Sequence, residues 1–192
     1  MQCLLISYRK ANEHIPHVCL PQICSNIHFP GALVNYLEKT ELEDLAGDAF
    51  ILLVNIFDEK SVKEATPGFI QKLISAMPHI VDENTLHALM SILVVVFPYF
   101  QKVYPYNNPI MAEFLIGEKT DFYKEEIMYL TNRGSMYRLD KCMQSISVLL
   151  QASDSENFFN ENDLDIIIGI CLRELGTPNP SRTRLQTLRV VN

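Results

Sequence analysis

The sequence predicts an all-α protein whose helices differ in how much of their surface they bury, and three observations carry that prediction. Apolar residues recur with the 3.6-residue period of a helix from Pro30 onward, and no segment shows a convincing strand pattern. Helix ends are punctuated by Thr-Pro and Asn-Pro starts, a capping-box pattern and terminating glycines. Helices with wide apolar faces begin near Leu42, Leu86, Leu139 and Ser181, with one-sided helices between them. Intervals of about 40 to 50 residues suit a helix-pair or helix-triple repeat. The expected architecture is therefore an armadillo/HEAT-like α-solenoid of stacked helix pairs, in which each unit stacks only on its neighbours. A four-helix bundle fits less well, because it calls for a few helices of similar length and amphipathicity.

Taken in order, residues 1–29 form a poorly defined N-terminal segment in which Cys3, His14, His17, Cys19, Cys24 and His28 are scattered around Pro16 and Pro21. The repeat domain is expected over 30–192. It opens with a short helix, GALVNYLEK, followed by Thr40 and Glu43 as a capping box for a helix running to about Phe57. Thr66-Pro67 starts a helix with the stripe Phe69, Ile70, Leu73, Ile74 and Met77, ended by Pro78 and His79. Asp82 or Asn84 caps the helix carrying Leu86, Leu89, Met90, Leu93 and Val94, and Tyr99 to Pro105 is expected to be a loop.

Asn108 to Gly134 is the most informative stretch, a helical hairpin. Asn108 and Pro109 start its first helix; Ile110, Met111, Phe114 and Leu115 share a face; Gly117 is expected to end it in the left-handed conformation. Thr120 opens the second helix, where Tyr123, Ile127 and Leu130 point inward while Lys124, Glu125 and Glu126 face away. Leu139 to Gln151 keeps the helical period at Leu139, Cys142, Met143, Ile146, Leu149 and Leu150. In Asn160 to Leu175, Ile166 and Ile170 widen the apolar face toward full burial. A last helix, with Leu185, Leu188 and Val191, runs to the end of the chain, so the domain is expected to be truncated there.

Composition excludes several functions. A net charge of −7 and a pI near 5.2 argue against nucleic acid as the main partner, since phosphate binding needs a dominant basic surface. The longest apolar stretch, Leu86 to Phe100, is interrupted by His87, Ser91 and Pro98 and falls short of the about 20 residues of a membrane span. It reads as a core helix. Five cysteines without framework spacing read as reduced intracellular thiols. The spacing H-x2-H-x-C-x4-C-x3-H at 14–28 matches no standard zinc finger.

No phosphate-binding glycine loop, nucleophile elbow or H-E-x-x-H is present, so the chain is expected not to be an enzyme and to need no metal or cofactor. His79 and His87 read as capping or solvent-facing imidazoles, Cys142 and Cys171 as small hydrophobes, and the acid pairs Glu125-Glu126 and Asp163-Asp165 as partners of helix dipoles. Arginine is distributed unevenly: apart from Arg9, all lie beyond residue 130. In a solenoid, Arg133, Arg138 and Lys141 could meet Arg182 and Arg184 on one surface able to hold an acidic helix, and these five are the expected partner-binding residues.

The segments AGDAFILLVNIFDE, ATPGFIQKLI, NTLHALMSILVVVF, NPIMAEFL, FYKEEIMYLTNRG and LLQASDSENFFNENDLDIIIGICLREL, in that order, resemble the leucine-rich, armadillo-like domain of the NCK-interacting, SH3-containing (WISH/DIP) protein family over Pro30 to Val191. The resemblance implies a domain that binds the Arp2/3 complex and activates it without a preformed filament. It would thereby seed linear filaments for endocytic and cortical actin, in the cytoplasm and at the cell cortex, alongside other actin cytoskeleton regulators. This chain departs from the family in carrying no SH3 domain or proline-rich adaptor segment. Rival expectations are a generic helical-repeat scaffold with another partner, and a zinc protein using the N-terminal His/Cys cluster.

Overall fold

The computed structural model describes residues 28–40, 52–53, 57, 61–133, 139–152 and 158–176. Among the described residues the protein is all-α, as expected, with seven assigned α-helices, two 3-10 turns and no strand. The helices are α1 (Phe29–Lys39), α2 (Pro67–Ala76), α3 (Glu83–Val103), α4 (Pro109–Ile116), α5 (Thr120–Asn132), α6 (Leu139–Leu150) and α7 (Glu161–Gly176). The chain divides into two compact units, Met1–Val96 and Phe97–Asn192.

In the first unit, α1 buries Phe29, Leu33, Val34 and Leu37 and packs against α2. Thr40 serves α1, as its C-cap, with its N–H bonded to the Tyr36 carbonyl. Its expected partner Glu43 and most of the helix to Phe57 lie outside the described residues, although Leu52, Leu53 and Phe57 are fully buried. Three hydrogen bonds, from two side chains, join the end of α1 to α2 and its N-cap. The Lys72 ammonium donates to the carbonyls of Glu38, at 3.1 Å, and Thr40. Thr66 accepts from the Phe69 N–H at 3.0 Å, as an N-cap should, and donates its hydroxyl to Glu38 at 2.9 Å. The α2 stripe Phe69, Ile70, Leu73 and Ile74 is buried, and a 3-10 turn over Met77–His79 carries Pro78, which cannot donate an N–H.

Asp82, not Asn84, caps α3: its carboxylate accepts from the Thr85 N–H at 2.8 Å and hydroxyl at 2.6 Å. Those two bonds hold the Asp82 carboxyl below its ordinary range. His87 is buried rather than solvent-facing, and the Ser91 hydroxyl is buried without a hydrogen-bond partner. The loop expected at 99–105 is wrong: α3 continues through Pro98 to Val103. Proline inside a helix costs about 3 kcal/mol. Set against that cost, Phe97 and Phe100 are both fully buried, Phe97 against Phe114 at 5.7 Å and Phe100 against Tyr104 at 5.3 Å between centroids. Packing on both sides of Pro98 thus overrides the local signal. By length and composition α3 could cross a bilayer, but 67% of its most apolar window is buried within the protein, as in a core helix.

The second unit is organised around α5, which contacts α4, α6 and α7. Asn108 caps α4 by accepting from the Ile110 N–H at 3.0 Å, and its amide donates to Gln101. Gly117 ends α4, but in an extended conformation (φ −67°, ψ 158°) and not the left-handed one expected. Its requirement for glycine is steric: a Cβ there would lie 2.5 Å from the Glu113 carbonyl oxygen. Gly117→Ala is therefore expected to cost about 1–3 kcal/mol, read as a lower urea midpoint at unchanged slope. Thr120 begins α5 by donating its hydroxyl to the Gly117 carbonyl at 2.8 Å, bracing the turn.

Helix α6 is buried on most sides, with Lys141, Ser145 and Ser147 enclosed along with Cys142, Met143, Ile146 and Leu149. Helix α7 opens with a reciprocal cap: the Asn160 N–H donates to Asp163, and Asn160 Oδ1 accepts from the Asp163 N–H at 2.9 Å. The full burial expected of α7 is not found. Ile167, Ile170 and Cys171 are buried, while Leu164, Ile166, Ile168 and Leu172 are exposed. Its apolar residues span a wider arc than its one buried face. Burial raises the Cys171 thiol above its ordinary value, which fits an inert core cysteine.

Candidate protein-binding cleft between α5 and α7

Helix α5 carries two stripes. Tyr123, Ile127 and Leu130 are fully buried. A second set, Glu125, Met128, Tyr129 and Asn132, recurs at i, i+3, i+4 and i+7, so these side chains share another face. Together with Lys124 from α5 and Asp163 and Ile166 from α7, that face lines a cleft of about 300 Å³.

Lys124 does not face away as expected. Its ammonium lies 3.5 Å from Asp121 and 3.8 Å from Asp163, and the Lys124 and Asp163 side chains are only 19% and 17% exposed. Asp163 thus completes the α7 cap and ties α7 to α5. Arg133 stands at the end of α5 with its guanidinium 5.2 Å from the centre of the Tyr129 ring, a cation–π contact. Glu125 and Asn132 are exposed, and their side chains make no hydrogen bond or ion pair among the described residues. The cleft therefore has an apolar floor of Met128, Tyr129 and Ile166 and two uncommitted polar groups.

Of the five expected partner-binding residues, Arg133 lies beside the cleft and is exposed. Lys141 is 8% exposed and its ammonium approaches Gln144 at 3.4 Å, so α6 encloses that charge and does not display it next to Arg133. Arg138, Arg182 and Arg184 lie outside the described residues, as do the cysteines and all but one of the histidines of the N-terminal cluster. Among the described residues no group of three or more His, Cys, Asp or Glu could hold a metal ion. Glu125, Tyr129, Asn132 and Ile166 were not singled out as partner-binding residues from sequence, although the second helical stripe on α5 was there to be counted.

A helical unit presenting an open, mixed apolar and polar cleft fits helical protein-protein interaction. Residues 82–192 match the model of the SPIN90/Ldb17 leucine-rich domain, and the chain belongs to that family. This is the family expected from the WISH/DIP resemblance, although the match begins at residue 82 where the resemblance began at Pro30. Neither a curated protein nor a solved structure matches the chain. The family links the chain to regulation of actin.

Proposed function

We propose that this chain binds the Arp2/3 complex and activates it without a preformed filament, promoting nucleation of linear actin filaments in the cytoplasm and at the cell cortex. The observation that carries this reading is the family match, which spans the helices forming the cleft. The protein acts by binding and not by catalysis. A stacked-helix surface that fits the active arrangement of the complex better than the inactive one shifts the population toward activity by that difference in affinity.

Purified chain added to Arp2/3 complex and pyrene-labelled actin is expected to shorten the lag before assembly, with no effect when the complex is omitted. Binding to the complex with an unchanged lag would reduce the protein to a helical scaffold. Absence of binding would remove the proposal.

A further inference from the structure

We propose that the α5–α7 cleft receives a basic side chain, a lysine or arginine carried on an amphipathic helix of the partner. The inference rests on the reading of the chain as a protein-binding module and names the chemistry its cleft selects.

Charge within the cleft sets the preference. Lys124 is already engaged by Asp121 and Asp163, and Arg133 rests on the face of Tyr129. Glu125 is the one cleft carboxylate without a described partner, and the Asn132 amide about two helical turns further along offers a neutral acceptor. An incoming carboxylate would meet Glu125 and Asp163, and Lys124, the cation of the lining, is already paired, while Arg133 stands outside the lining. An incoming ammonium or guanidinium meets the Glu125 carboxylate. Lysine and arginine also carry aliphatic stems that lie along apolar surface while the charged end stays in contact with water, and Met128, Tyr129 and Ile166 supply that surface. The expectation of a basic surface holding an acidic helix is thus inverted at this cleft.

The arrangement of the lining also favours a helix as the carrier. Glu125, Met128, Tyr129 and Asn132 run along one face of α5 at i, i+3, i+4 and i+7, so a partner helix laid beside them can present side chains in the same rhythm. Such a partner combines leucine-like anchors over Met128 and Ile166 with a cation near Glu125.

The test uses two synthetic amphipathic helical peptides of identical leucine content, one with lysine and the other with glutamate at the position facing the cleft. Titrated against the intact chain by fluorescence anisotropy at low salt, the lysine peptide is expected to bind at least about 10-fold more tightly than the glutamate peptide. Glu125→Gln should reduce that preference several-fold and Glu125→Lys should reverse it; circular dichroism of both variants establishes that they fold. Amide shifts on binding should centre on Glu125, Tyr129, Asn132 and Ile166. Equal affinity for the two peptides, tighter binding of the glutamate peptide, no binding, or shifts confined to other helices would each overturn the proposal. Because these measurements contain no Arp2/3 complex, their failure is separate from failure of the actin-assembly experiment.

Discussion

Replacing Phe114 by alanine is expected to destabilise the protein by about 3–5 kcal/mol, the range for removing a fully buried phenylalanine. Phe114 is 0% exposed and lies between two other buried rings: Phe97 at 5.7 Å in a tilted contact, and Tyr123 at 5.1 Å in a stacked one. It therefore joins α3, α4 and α5, three helices with no covalent link other than the loops between them. The loss combines the apolar surface returned to water, the cavity left because neighbouring helices relax only in part, and the broken ring contacts. In thermal unfolding this corresponds to a fall in Tm on the order of 10 °C. A loss of less than 1 kcal/mol would mean that these three helices do not share a core.

Alkaline unfolding should report on the neighbouring ring. Burial, with the Glu113 carboxylate adding to it, pushes the Tyr123 phenol up to about 12 from an ordinary 10.0. The folded protein thus holds this proton more tightly than the unfolded chain does. Below pH 10 both states are protonated and the preference for the neutral phenol is fully expressed. Between pH 10 and 12 the unfolded state ionises first, and stability falls by about 2–3 kcal/mol from this group. Whatever else ionises is common to both proteins, so the decisive quantity is the difference between the parent and Tyr123→Phe. Urea midpoints of the parent should decline more steeply from pH 9.5 to 11.5, and parallel slopes would show that the phenol is not protected.

What could be read from the sequence divides along a physical line. Helix starts at Thr66, Asn108 and Asn160 were legible because the group that satisfies the first backbone donors lies within three residues of them. Inward stripes such as Tyr123-Ile127-Leu130 were legible because a helix fixes which residues share a face. The sequence reading fails where packing or a steric contact, and not a cap, decides the outcome. Pro98 signals a helix end locally, yet the rings on either side of it are held by Phe114 and Tyr104. Gly117 has the residue expected at a left-handed position, but its backbone is extended and the constraint comes from the Glu113 carbonyl.

The cleft was less legible than the core for the same reason. Along the chain Lys124 reads as a solvated charge, because its counterion, Asp163, lies on another helix. Arginines cluster in the last third of the chain, but only Arg133 of the five expected contacts lies on a described surface. Charge counted along a chain ignores which cations are already neutralised, and that determines which ligand a surface prefers.

The tether between Lys72 and the end of α1 has a consequence for synthesis. The last carbonyls of α1 are satisfied by an ammonium 32 and 34 residues downstream, and the α1 face is buried against α2. A nascent chain that has emerged only as far as residue 40 holds α1 without its closing contacts and its apolar cover, and a helix of that length is too brief to persist in water by itself. Helix α1 should therefore become protected from hydrogen exchange only after residue 72 has left the ribosome, so that it settles late although it precedes α2 in synthesis.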